Sequence, residues 1–174
     1  MEIPAKEWNR YKEWDVVELT QNYMELILTY FMQGDMSILI HCISGWDRTP
    51  LFIALLRISL WADGLIHKSL NAHEMAYLTL AYDWYLFGHN LPSRVKHGEE
   101  IMHFCFNFLK YFTDDHFSAT LMWNSSRVKA AASESENEGL VLLPFCPEDR
   151  VQKIQQLRQI VLELYDEHVS RIPA

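Results

Sequence analysis

The sequence predicts an α/β domain built mostly of helices, and three observations lead there. The apolar run Ser37–Ile40 is short and continuous, as a strand covered on both faces would be. Several longer stretches repeat apolar residues at helical spacing between capping and stop signals. Six Trp, eight Tyr and nine Phe in 174 residues call for a densely packed interior, and the length suits one domain rather than two.

Taken in order, Asp15 with Glu18 reads as a capping box for a helix whose face is Val16, Leu19, Tyr23, Ile27 and Tyr30, stopped by Gly34. The strand at 37–40 feeds a turn, and Pro50 stands where a first helical turn tolerates it. Leu51–Trp61 is apolar nearly all round, a helix enclosed by protein until Gly64. Asn71 with Glu74 marks a second capping box, opening a helix through Met75, Leu78, Tyr82 and Leu86 to Gly88. A polar connector precedes a helix from Glu99 to Phe112, and residues 124–147, which include "SESENEG", read as a linker. The last helix, within 148–174, places Val151, Ile154, Leu157, Val161 and Leu164 on one side, for docking on the domain or pairing with another copy. One strand makes no sheet, so its neighbours are expected outside this sequence.

Composition excludes several functions. A net charge of −8 is wrong for a nucleic-acid binder, which needs a basic face to displace counterions from phosphates. The apolar runs break before the roughly 20 residues a bilayer span requires, and no basic-then-apolar leader opens the chain, so a cytoplasmic protein is expected. Cys42, Cys105 and Cys146 have neither paired nor metal-binding spacing.

Chemistry concentrates in "HCISGWDRT", residues 41–49. A thiol at its usual pKa is a poor nucleophile at neutral pH, but a helix start and a cation lower that pKa, and Cys42 has Arg48 and a following helix. Five residues separate the two, enough for a loop whose inward N–H groups nest a tetrahedral anion, with Gly45 supplying the permissive backbone. Arg48 would grip two phosphoryl oxygens with its planar fork. Thr49 can hydrogen-bond the thiolate, His41 can brace the loop, and Asp47 is placed to protonate a leaving alkoxide and then activate water. Hydrolysis of a phosphate monoester is the chemistry this arrangement serves.

The segment resembles the active-site loop of the myotubularin phosphoinositide phosphatases, Cys-x-x-Gly-Trp-Asp-Arg-Thr. A second segment, "FGHNLPSRVKHG" at 87–98, is similar to that family's Phe-Gly-His followed by Arg-Val-x-His-Gly. Ile43-Ser44 and the Trp-Ala-Asp-Gly at 61–64 look most like a divergent branch of it. The resemblance spans 15–113 and implies a cysteine-phosphatase fold, here the helical half plus the strand feeding the loop, with 1–123 as part of that domain. It implies a 3-phosphatase acting on phosphatidylinositol 3-phosphate and 3,5-bisphosphate, peripheral on membranes that carry them, with no metal or other cofactor. By motif match, Cys42 is the nucleophile, Arg48 the clamp and Asp47 the general acid, while Ser44, Gly45, Trp46, Thr49 and Arg94 meet the substrate. Two positions depart from the pattern: most active members have Asp where Ser44 stands, and a second Arg where Asn90 stands. A phosphoinositide-binding module without turnover, and a protein tyrosine phosphatase, are the rival readings. His89 and His97 read as loop braces, and Cys105 as an inert core thiol.

Overall fold

The computed structural model describes residues 8–34, 37–133 and 141–172. Seven α-helices run through them: α1 (Val16–Gln33), α2 (Arg48–Ala62), α3 (Ala72–Leu78), α4 (Leu91–Lys96), α5 (Ile101–Phe108), α6 (Ala119–Ser133) and α7 (Pro147–Val169). A π-helical segment, Thr79–Tyr85, prolongs α3, and short 3-10 turns follow α5. Among the described residues no strand forms and no helix is long and apolar enough to cross a membrane.

The strand expected at Ser37–Ile40 is therefore not made. A strand is held by hydrogen bonds from a neighbouring strand, and no described segment pairs with this one. Leu39 is 83% exposed as a result.

α2 is the central rod. Leu51, Ala54, Leu55, Ile58, Leu60 and Trp61 are all buried along it, in agreement with its all-round apolar sequence. α1 packs against α2 and α6, while α7 lies across α2, α3 and α5.

Local signals hold well at the helix ends. Asp15 accepts a hydrogen bond from the Glu18 N–H at 2.8 Å, and Gly34 closes α1 at φ +77°. Asn71 and Glu74 form both halves of their capping box. The faces are less faithful. α1 buries Thr20, Met24, Leu28 and Thr29, whereas Val16 and Tyr23 look outward. The two threonines can be buried because their hydroxyls donate to the backbone carbonyls of Val16 and Glu25, which removes the desolvation cost that makes Thr read as polar.

The π-helical turn re-aims the stretch after α3. Thr79, Asp83 and Trp84 turn inward, and Tyr82 and Leu86, expected on the buried face, are exposed. Burying Asp83 is tolerable because Arg57 of α2 grips both of its oxygens, at 2.9 and 3.0 Å. Trp84 is thereby fixed at the base of the loop that carries His89.

α7 keeps Ile154, Leu157 and Val161 of the expected stripe inward, with Val151 partly buried, and widens it with Arg150 and Tyr165. Arg150, Ile154, Leu157, Val161 and Tyr165 are buried, and Leu164 is half exposed. The expected linker differs too: 124–133 belong to α6, where Arg, Lys and three consecutive Ala favour helix. The Asn124 side chain then bonds the backbone N–H and C=O of Leu143, at 2.8 and 3.0 Å. Most of "SESENEG" lies outside the described residues.

Candidate active site

The turn between Ile40 and α2 curls back on itself. Gly45, at φ +81°, directs its N–H to the Cys42 Sγ at 3.2 Å. Thr49, buried in the first turn of α2, accepts the Cys42 N–H at 2.9 Å and donates its hydroxyl to Sγ at 3.2 Å. One side chain thus closes the loop and solvates the sulfur.

That solvation sets the thiol's acidity. The Cys42 pKa falls from 9.0 to about 6: the Thr49 hydroxyl is the largest cause, burial opposes it as the next largest, and the backbone N–H groups of Gly45, Thr49 and Ser44 add to the lowering. The thiolate is therefore favoured at neutral pH. Of the groups the sequence pointed to, the Thr49 hydroxyl contributes most.

Arg48 opens α2 with an exposed side chain that bonds no other described residue. Ser44 is exposed, and its N–H is among the groups that stabilise the sulfur. His41 is exposed and makes no bracing hydrogen bond among the described residues. Its expected role passes to His89.

The second sequence segment arrives beside the first. His89 places Nδ1 3.0 Å from Asp47 Oδ1 and 3.2 Å from the Trp46 carbonyl oxygen. Arg94, on α4, donates to Asp47 Oδ2 at 2.8 Å and to Glu99 at 2.5 Å. These acids hold the guanidinium above its ordinary pKa, Glu99 most strongly. Gly88, at φ +86°, serves twice: its backbone conformation suits glycine, and a methyl there would meet the Trp46 indole at 3.3 Å. Trp46-Asp47 and Gly88-His89 are in this way interlocked.

The structure so gathers Cys42, Gly45 and Thr49 in one cluster, joins Asp47 to Arg94 and His89, and sets Trp46 against Gly88 and His89. Sequence reasoning undervalued His89 and Glu99, whose partners stand 42 and 5 positions away. A cavity of about 880 Å³ between α7 and the 80–92 region reaches Gly88 and His89 but not Cys42. Cys105 is fully buried and its thiol is pushed well up by burial, as suits an unreactive core residue.

Residues 10–163 match the model of the myotubularin-like phosphatase domain. The chain belongs to this family. It is 61% identical over 114 residues to the human phosphatidylinositol-3,5-bisphosphate 3-phosphatase MTMR14, covering 65% of this chain and 18% of that protein, and 61% identical over 112 residues to its mouse counterpart, covering 64% and 17%. Rat myotubularin is 36% identical over 67 residues, covering 38% of this chain and 10% of myotubularin. The chain thus spans under a fifth of the length of its relatives MTMR14. No solved structure matches it. Membership in the myotubularin-like family implies a cysteine-phosphatase fold, and the described residues are helical throughout their regular elements.

Proposed function

We propose that this chain carries the phosphoryl-transfer site of a phosphoinositide 3-phosphatase of α/β fold, acting on phosphatidylinositol 3-phosphate and phosphatidylinositol 3,5-bisphosphate at the surface of membranes. The observation that carries the reading is the Cys42 sulfur, stabilised as thiolate at a pKa of about 6 by Thr49 and inward N–H groups. The names of the human and mouse relatives agree with that substrate class.

In the reaction, the Cys42 thiolate attacks the 3-phosphate, an S–P bond forms and the P–O bond to the inositol breaks. Asp47 gives its proton to the departing oxygen. Water then attacks phosphorus, Asp47 takes a proton from it, and the S–P bond breaks to release inorganic phosphate and the thiolate. Arg48 is free to hold the phosphoryl oxygens, since no described side chain competes for it. Arg94 is the second cation for the head group.

A binding module is the rival, and one observation favours it: both Asp47 oxygens are engaged by His89 and Arg94, which leaves neither free to carry a proton until a ligand draws Arg94 away. Phosphate release from both inositides decides between them. Cys42→Ser is expected to abolish release while retaining lipid binding; release that persists in that variant rules out the thiolate mechanism.

A further inference from the structure

We propose that His89 is a positioning residue for the general acid: it fixes one oxygen of Asp47 so that the proton is carried and delivered by the other. This rests on the phosphatase reading above and adds a group that reading does not contain.

The hydrogen-bond pattern assigns the imidazole. Nδ1 faces two acceptors, Asp47 Oδ1 and the Trp46 carbonyl, so Nδ1 carries the hydrogen and donates. The side chain is only 1% exposed. Its plane stands edge-on to Trp84, with centroids 4.9 Å apart, and Trp84 is completely buried in the π-helical turn. A backbone bond from the His89 N–H to the Trp84 carbonyl, 3.1 Å, ties the same two residues. His89 therefore has no other place to go.

Arg94 differs on each count. Its side chain is 23% exposed and is shared between Asp47 and Glu99, so it can swing to a phosphate without unpacking the core. When it does, Oδ2 is released and Oδ1 stays held. A carboxyl group with one oxygen fixed and the other freed presents its O–H in one direction, and that orientation is what proton transfer in the transition state requires. His89 itself does not exchange a proton with substrate.

The test compares two leaving groups on the full chain. An inositol oxygen leaves as a poor alkoxide and needs the acid, whereas 4-nitrophenyl phosphate releases a phenolate that scarcely does. His89→Phe should lower kcat about 10- to 100-fold on phosphatidylinositol 3-phosphate, with KM unchanged and little loss on the aryl ester. His89→Asn should restore most of it, because its amide N–H overlays the Nδ1 position. Iodoacetamide labelling of Cys42 should proceed at the wild-type rate in both variants, showing that the loop is intact. Equal losses on the two substrates, or an Asn variant no better than Phe, overturn the proposal. Nitrogen-15 NMR of the wild-type chain judges the hydrogen bond without turnover: an Nδ1–H tautomer whose shift moves in Asp47→Asn supports it, and an Nε2–H tautomer overturns it. Wild-type chain that releases no phosphate from either substrate defeats the functional reading instead, and is told apart by that spectrum.

Discussion

Asp63 and Asp47 each pair with an arginine, yet the first pair is sealed and the second lies about a quarter exposed. Arg150 reaches from α7 into the core, where it donates to Asp63 at 2.5 Å and to the backbone carbonyls of Ser59, Phe112 and Phe117. Asp63 in turn accepts from the Ser118 hydroxyl and the Thr120 N–H. Burial works against the charged form of both groups, raising the Asp63 pKa and lowering that of Arg150, while each charge supports the other. With nearly every lone pair and N–H engaged, this pair has nothing left to offer a ligand. It joins α7, α2 and the 112–120 segment. The Asp47 pair holds the same two chemical groups in a setting where one partner can leave, and that freedom is what the proton transfer proposed for Asp47 needs.

The sharpest way to break this contrast is Arg150→Ala, which strands a buried carboxylate and should lower the unfolding free energy by about 3–5 kcal/mol in chemical denaturation. A loss below 1 kcal/mol would mean that the pair is not sealed. Next in size is Thr49→Val. Removing the hydroxyl that contributes most to Cys42 acidity should move the midpoint of its alkylation-versus-pH curve from about 6 toward the ordinary thiol range. The sign follows from the lowered pKa: wild-type labelling slows only as pH falls through about 6 and the thiolate is protonated, whereas the variant slows already below the usual thiol pKa. Gly88→Ala should cost about 1–2 kcal/mol, since a non-glycine residue at positive φ is strained and the new methyl presses on Trp46. Smallest of all is Glu99→Gln. It should leave the melting temperature unmoved, while the affinity for a soluble inositol phosphate rises as Arg94 loses a competing acid. A fall in melting temperature comparable to that of Arg150→Ala would erase the distinction between the two pairs.

How far the fold could be read in advance depended on the separation between partners. The Asp15 and Asn71 caps, the Gly34 stop and the enclosed α2 were all legible, because their determinants lie within a turn or two. The face of α1 was not, nor was the place of Arg150 on that of α7. Thr20 and Thr29 read as polar until their hydroxyls are seen to bond carbonyls four residues back, and Arg150 reads as solvent-facing until Asp63, 87 positions away, is brought to meet it. The same holds for the π-helical turn, where Asp83 is drawn inward by Arg57, 26 positions earlier. At the site, the residue types and their spacing singled out Cys42, Gly45, Arg48 and Thr49, whereas His89 looked like an ordinary loop brace. Its neighbours in sequence hold no trace of Asp47.

By itself, then, the sequence determined the loop from Cys42 to Thr49, the helix that follows it and the family to which they belong, since each of these is written in residues close along the chain. Only the tertiary structure decided how much the Thr49 hydroxyl outweighs its neighbours at the sulfur, which arginine is locked in the core and which histidine holds Asp47. Those outcomes depend on desolvation and on distance across space, and neither quantity exists until the helices have packed.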